Sequence, residues 1–247
     1  MVRALVILPS FNSGGRLAQT LRDAAGFCHD VWAVVDASTD GSAGEAIAAA
    51  TMMPGLRVIV LEKNCGKGGA VLAGLRAADQ EGFTHALVMD ADGQHAAPAI
   101  PEFLEAARRR PEALIAGVPI FGPDAPPERV SGRRVGNFFA SLETWGLGAR
   151  DSLFGFRIYP IRPALRVLES TRGARRFDFD TVLAVRLLWA GVPAVNIPVP
   201  VRYPAPGEGG VTHFRYLRDN LLLTRVHVRL CLEMILHAPR LFSLRCR

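Results

Sequence analysis

A chain of 247 residues, 49% hydrophobic and 21% charged, can bury a sizeable core as one large α/β domain or two small ones, and this composition excludes a disordered chain. Its four cysteines, Cys28, Cys65, Cys231 and Cys246, form no close pair and no metal-ligand spacing, which excludes a disulfide framework and, with no secretory signal visible, points to a reducing, cytoplasmic compartment. The net charge of +6 is uneven: residues 1–211 carry 22 Lys and Arg against 21 Asp and Glu, whereas residues 212–247 carry seven Arg against two acids, with no nucleic-acid motif beside them, so nucleic acid is not an expected partner.

In chain order, short β-rich apolar runs alternate with helical patterns. Strands are predicted at Ala4–Leu8, Val31–Val35, Val58–Leu61, His85–Met89 and Ala113–Val118, and helices between them at Gly15–Phe27, Gly44–Met52, Gly68–Gln80 and Pro98–Arg110. Repeated βα units imply an α/β fold, a mostly parallel sheet with helices on both faces, whose ligands bind beyond the carboxyl ends of the strands. Further on, Thr181–Trp189 reads as a helix. The domain boundary is predicted at residue 211, with residues 212–247 forming a basic helical tail. From Phe214 to Leu236 that tail places Leu217, Leu221, Val228, Leu232 and Ile235 on one stripe and Arg218, Arg225, Arg229 and Glu233 on another. The charges rule out a span of about 20 apolar residues. Three uses of such a helix stay open: lying in the interface of an anionic leaflet, packing on the domain, or pairing two copies as a homodimer. The stretch Gly207–His213 before it reads as a glycine-rich linker or a lid over the site.

Four strand ends carry polar or glycine-rich turns. The most informative is Asp90-Ala91-Asp92-Gly93-Gln94-His95, where an apolar strand ends in two carboxylates one residue apart. On an extended chain alternate side chains point the same way, so Asp90 and Asp92 can converge on one hard cation, Mg2+ or Mn2+, leaving positions open for phosphate oxygens. The competing reading is an ordinary Asp-Gly turn. The other turns are Pro9-Ser10-Phe11-Asn12, Asp36-Ala37-Ser38-Thr39-Asp40-Gly41 and Asn64-Cys65-Gly66-Lys67-Gly68-Gly69. The last is not a P-loop, because Lys67 is followed by glycine rather than Ser or Thr, but a glycine-rich turn opening a helix can offer N–H groups to phosphates. Lys67 is one of only two lysines in the chain.

These four motifs, in this order and spacing, resemble those of family 2 glycosyltransferases. Asp151-Ser152-Leu153-Phe154-Gly155-Phe156-Arg157 resembles the downstream motif of the branch containing dolichyl-phosphate mannose synthase and the polyprenyl-phosphate glycosyltransferases. The resemblance covers about residues 4–203. It implies a GT-A fold, a UDP- or GDP-linked sugar donor, a divalent metal (Mg2+ or Mn2+), inversion at the anomeric carbon, and a lipid-linked acceptor reached from the cytoplasmic face of a membrane by peripheral association.

Carried over by position, Pro9 and Asn12 fall in the nucleotide-binding loop, Asp36 matches the acid that contacts the nucleobase, and Lys67 lies near the donor. Asp90, Asp92 and Gln94 match the metal- and diphosphate-binding set. Arg157, with Arg133 or Arg134, falls where that branch binds an acceptor phosphate. Two positions depart from the pattern. Val35-Asp36 stands where relatives commonly have two acids, and Val182 stands where many carry a glutamate. A phosphate acceptor is already ionised near neutral pH and needs no strong base. A hydroxyl acceptor, on a glycolipid for example, needs one, and Asp178, Asp180 or Asp151 are the candidates. For Asp178 and Asp180 a role at a helix start is equally open. A nucleotidyltransferase is disfavoured by the absence of an Arg-containing glycine-rich loop after the first strand, and a noncatalytic nucleotide-sugar-binding protein by the presence of both Asp90 and Asp92.

Overall fold

A computed structural model describes residues 1–122, 127–176, 178–201 and 216–246. Seven strands form one sheet: β1 (Ala4–Ser10), β2 (Val31–Asp36), β3 (Leu56–Leu61), β4 (His85–Val88), β5 (Leu114–Phe121), β6 (Arg157–Pro160) and β7 (Ala194–Val201), in the spatial order β3-β2-β1-β4-β6-β5-β7. All are parallel except β6, which runs antiparallel to both β4 and β5. The five predicted strands are all present. β6 and β7 escaped the sequence reading, the first because it is four residues long and opens on an arginine, the second because Pro198 and Pro200 interrupt its pattern. An edge strand tolerates such prolines, since it has ladder N–H groups to spare.

Alternation along the strands divides the core. Leu5 and Ile7 of β1 face one side, packed with α3 (Lys67–Gln80), α6 (Ile161–Ser170) and α7 (Phe179–Trp189). Val6 and Leu8 face the other, packed with α1 (Arg16–Ala25), α2 (Ser42–Met52) and α4 (Ile100–Arg109). Every residue of β2 is buried, as expected for a strand covered on both faces. Each large apolar side chain so enclosed contributes about 1.5–3 kcal/mol.

A third apolar cluster lies outside this sandwich, where α5 (Pro127–Glu143) and α7 meet α8 (Tyr216–Arg245) through Ala140, Val182, Val185, Leu188, Trp189, Leu230 and Leu241. The tail is therefore one 30-residue helix, longer than predicted, and it shares a core with the rest of the chain. Its amphipathicity is unexpected. The stripe carrying Leu221, Val228, Leu232 and Ile235 is exposed, and Arg225 and Arg229 are exposed beside it. The face turned toward the protein is a third one, Leu223, His227, Leu230 and Leu241, with Glu233 at its margin accepting from Arg186 of α7 and from Arg229. The side chains of Leu217 and Arg218, and the Gly207–His213 stretch with His213, lie outside the described residues. No helix among the described residues is long and apolar enough to cross a membrane.

The reversed strand positions the site. β6 starts where β4 ends, with Val88 opposite Arg157, so the loop entering β6 lies alongside the loop leaving β4. Asp151–Phe156 and Asp90–His95 are thereby neighbours at the carboxyl edge of the sheet.

Candidate functional site

Beyond Val88 the chain turns through Gly93, whose φ of +75° suits a residue without a Cβ. Asp92 accepts the N–H of Gln94 at 2.9 Å, which closes the turn. His95 folds back beneath it: its Nδ1 accepts the N–H of Asp90 at 2.9 Å, and its ring is wedged edge-on against Phe154 (4.7 Å) and Phe156 (5.4 Å). Burial holds His95 below the ordinary imidazole range, against the opposing pull of Asp90 and Asp92, and a neutral ring is what an accepting Nδ1 requires. His95 thus aims the acid turn rather than serving as a ligand in it.

Lys67 enters from α3. Its ammonium lies 2.7 Å from Asp90 and 2.7 Å from Asp180, with little solvent exposure. Burial alone would discharge it, but the two carboxylates hold its pKa above that of a free lysine, so it stays charged. Reciprocally, burial alone would raise Asp90, whereas Lys67, His95 and Arg133 together hold it below the usual carboxylate range. Asp92 receives less help: burial and the adjacent Asp90 push its carboxyl up, outweighing the Gln94 N–H and the pull of Lys67. Two acids side by side, Asp92 with no ion pair among the described residues, form a site short of positive charge.

The glycines flanking Lys67 answer to backbone rather than to phosphate. Gly66 has a φ of +76°, and a Cβ there would meet the Arg175 carbonyl at 2.3 Å; one on Gly68 would meet the Ala174 carbonyl at 2.2 Å. The Gly68 N–H, expected to be free for a phosphate, is already donated to Arg175 at 3.0 Å. Asp36 completes this clamp. Its two oxygens accept the N–H groups of Cys65 and Gly66, each at 2.7 Å, and the side chain is buried. That geometry does not suit the expected nucleobase contact, since both oxygens are consumed in shaping the turn that presents Lys67. Pro9 is likewise corrected: it lies within β1, buried and paired with Val34, not in the loop. Asn12 is in the loop, with a φ of +48°, and ties it to the next one, donating its N–H to Ser38 Oγ at 2.9 Å and accepting the Thr39 N–H at 2.8 Å.

The candidate bases prove to be structural. Asp178 precedes α7 and accepts the N–H groups of Ala174 and Arg176, both at 3.0 Å, which folds the segment that presses on Gly66 and Gly68. Asp180 is buried, one oxygen on Lys67 and the other enclosed without a partner among the described residues. Asp151 is buried as well and accepts from Arg133 (2.8 Å), Asn137 (3.0 Å) and the N–H groups of Leu153 (3.0 Å) and Phe154 (2.7 Å). Asp178 and Asp180 stand at the start of α7, but neither side chain caps it: no side-chain cap hydrogen bond is made there, and their oxygens go to the segment before the helix and to Lys67.

Of the three arginines, Arg157 is fully buried and corrects its expected role. Its guanidinium donates to the carbonyls of Asp180 and Asp151 and lies against the Tyr159 hydroxyl, so it braces the floor of the site and does not reach an acceptor. Arg133 remains one-fifth exposed, close enough to Asp90 to lower its pKa, and Arg134 beside it faces solvent. Gly155 was not singled out from the sequence. A Cβ there would lie 2.7 Å from Lys67 Nζ and 2.9 Å from Asp90 Oδ2. Its signal was a glycine held between two aromatics, Phe154 and Phe156, at the entry to a strand.

Fold and site together define an α/β transferase of the GT-A type, with an acid turn after the central strand facing basic groups from two helices, Lys67 of α3 and Arg133 of α5. The chain belongs to glycosyl transferase family 2, whose sequence pattern matches residues 5–165. It is 32% identical over 190 residues to the undecaprenyl-phosphate mannosyltransferase of Micrococcus luteus, spanning 75% of this chain and 70% of that one. With the polyprenol monophosphomannose synthase of Mycolicibacterium smegmatis it shares 26% identity over 204 residues, 80% of this chain and 76% of the other. Among solved structures, glucosyl-3-phosphoglycerate synthase from Mycobacterium tuberculosis, crystallised with Mn2+, UDP-glucose and phosphoglyceric acid, superposes with a TM-score of 0.63 at 14% identity, covering 94% of this chain and 79% of that one. A mannosyltransferase from Pyrobaculum calidifontis bound to GDP-Man and Mn2+ gives 0.59 at 20% identity, covering 84% and 58%. At these identities the two structures speak to the shared fold.

Proposed function

We propose that this glycosyltransferase moves a hexose from a UDP- or GDP-linked donor to a polyprenyl phosphate, with inversion, at the cytoplasmic face of a membrane. The observation that carries the choice of acceptor is the fate of the three acids that could serve as a base. Asp151, Asp178 and Asp180 are all buried and bound to backbone N–H groups or to cationic side chains, so none is presented to a hydroxyl. An acceptor that brings its own negative charge needs no proton removed, and a phosphate monoester does so. The names of the two curated relatives point the same way.

The residues fit a hard divalent ion. Asp92 makes no ion pair among the described residues, Gln94 adds an amide oxygen two residues on, and Asp90 has a second oxygen beyond the one on Lys67. Among the described residues no three His, Cys, Asp or Glu side chains are grouped to hold a metal by themselves. Mg2+ or Mn2+ held by Asp90, Asp92 and Gln94 would neutralise charge on the departing nucleoside diphosphate. The chain's own groups do the rest. Ser10–Asn12, locked to Ser38 and Thr39, wall the nucleotide side; Lys67 keeps Asp90 aimed; and Arg133, with Arg134, draws the acceptor phosphate to the opposite side of the sugar, the direction inversion demands.

The deciding experiment is a panel of UDP- and GDP-sugars with Mn2+ or Mg2+, scored by released nucleoside diphosphate with and without polyprenyl phosphate. Lipid-dependent release with one donor is expected, and no turnover with any donor would overturn the reading. Arg133→Ala is expected to raise the acceptor KM about tenfold or more through loss of a charge-assisted contact, with the donor KM unchanged. An unaltered acceptor KM would remove Arg133 from the acceptor site.

The outward apolar stripe of α8 supports the membrane part of the proposal. Leu221, Val228, Leu232, Ile235 and Leu236 are each at least half exposed, and Val135, Phe138 and Leu142 recur at helical spacing on adjoining α5. Exposed apolar rows of this kind suit an interaction surface, and Arg225 and Arg229 line the same groove as Val228 and Leu232. Leu232→Ser with Ile235→Ser is expected to lower co-sedimentation with anionic vesicles severalfold at unchanged melting temperature, and equal binding would exclude this stripe from the contact. A dimer built on the same stripe would instead show as a change in sedimentation velocity.

A further inference from the structure

α5 is fastened at two levels. Near its middle, Arg133 and Asn137 donate to the two carboxylate oxygens of Asp151 at 2.8 and 3.0 Å, and Asn137 Oδ1 accepts the N–H and the hydroxyl of Ser152 at 2.9 and 3.1 Å. At its end, Glu143 is fully buried with Oε1 2.8 Å from His227 Nδ1 of α8, and Cys231, one turn further along α8, places its sulfur 3.7 Å from the same oxygen.

This second fastening is costly for its surroundings. It adjoins the apolar cluster of Ala140, Val182, Val185, Leu188, Trp189, Leu230 and Leu241, burial pushes the Glu143 carboxyl up, and Glu143 Oε2 and His227 Nε2 are enclosed without partners among the described residues. Two well-packed apolar side chains would fill the space at least as stably. What apolar packing does not supply is register, because two greasy helices can slide or roll over one another at small cost, whereas a carboxylate and an imidazole meet in one arrangement. His227 also reaches across α5. A Cβ built on Gly136 would stand 3.7 Å from its Nε2 and 3.6 Å from Ser152 Oγ. One side chain of α8 therefore meets α5 at Glu143 and beside Phe139, ring centroids 5.5 Å apart, with Gly136 leaving room between its Nε2 and the serine that Asn137 holds.

We infer that His227 and Glu143 are positioning residues for acceptor capture: their pair sets the register of α5 on α8 and through it the placement of Arg133. The inference rests on Arg133 being the acceptor contact. Its test is the double substitution Glu143→Leu with His227→Phe, which exchanges the pair for apolar side chains of similar size, together with Glu143→Gln, which keeps an oxygen at Oε1. With polyprenyl phosphate in detergent and the preferred nucleotide sugar, the double variant is expected to melt at or above the wild-type temperature while its acceptor KM rises about tenfold and its donor KM holds, at the lower end of what a displaced binding group costs. Glu143→Gln is expected to stay within about twofold of wild type, since the hydrogen bond survives. A double variant with unchanged acceptor KM, or with acceptor and donor constants moving together, would overturn the inference, as would Glu143→Gln behaving like the double variant. Should the double variant not fold, Glu143→Met, which removes the acceptor of His227 Nδ1 at similar side-chain length, is expected to reproduce the selective rise in acceptor KM, and its absence there counts against the pair equally. An insensitive Arg133→Ala enzyme would instead strike at the acceptor assignment itself.

Discussion

Asp92→Asn is expected to lower turnover about a thousandfold while leaving the fold at least as stable as before. The rate loss follows from removing the carboxylate of the acid turn that makes no ion pair among the described residues, where a divalent ion acting on the leaving diphosphate is worth several kcal/mol. The stability gain has the opposite origin in the same fact. Burial and Asp90 hold the Asp92 carboxyl above its unfolded value. Its ionised form therefore opposes folding at every pH above the unfolded carboxylate range, and an uncharged amide of the same shape relieves that cost. The measurement pairs turnover with melting curves in the presence and absence of Mn2+ and nucleoside diphosphate. Ligand should raise the wild-type melting temperature and leave that of Asp92→Asn nearly unchanged. A variant stabilised equally by Mn2+ and nucleotide would place the ion elsewhere. Asp90→Asn should behave differently, because it also deprives Lys67 of one of its two counterions and so loses stability along with activity.

The second large effect is expected from Gly155→Ala. Its added methyl group would overlap Lys67 Nζ at 2.7 Å and Asp90 Oδ2 at 2.9 Å, both of them ends of side chains rather than backbone. The fold can absorb the intrusion by letting those two groups move, so the melting temperature should fall by only a few degrees. The site cannot, because those are the groups it aims. Misplacement by about 1 Å costs about a hundredfold in rate, and that is the expected loss. Gly66→Ala and Gly68→Ala offer the contrast: there the new methyl group meets carbonyl oxygens of a packed segment at 2.3 and 2.2 Å, so misfolding is expected rather than an inactive folded enzyme. A Gly155→Ala enzyme with normal turnover would show that the Lys67–Asp90 pair does not set the rate.

Which parts of this were readable beforehand follows from the physics of each. The parallel strands announced themselves as unbroken apolar runs, because a strand covered on both faces has no polar side to alternate with, and the acid turn stood out because carboxylates rarely end such a run without purpose. Arg157 misled for a related reason. A guanidinium in a motif suggests a ligand outside the protein, yet its acceptors here are two backbone carbonyls, of Asp180 and Asp151, that every sequence contains and none displays. Asp36, Asp178 and the glycines around Lys67 share that explanation: their partners are N–H and C=O groups brought close by tertiary folding. Pro9 was displaced by two residues of strand. The 216–245 helix was legible as a helix but not in its inward face, which is neither predicted stripe but Leu223, His227, Leu230 and Leu241, because that choice depended on partners such as Glu143 and Trp189 in segments far away in the chain.

The single reversed strand carries one further consequence. Since β6 enters the sheet at the edge where β4 and β5 leave it, the excursion from Phe121 to Arg157 begins and ends at the same rim of the molecule. Its last residues, Phe154 to Phe156, are held against His95, Lys67 and Asp90, but the part before them adds no rung to the donor-side ladder formed by β1 to β4. A change in that earlier part would therefore reach the acid turn only through α5 and the Asp151–Phe156 loop, and leave the strands of the donor side where they are.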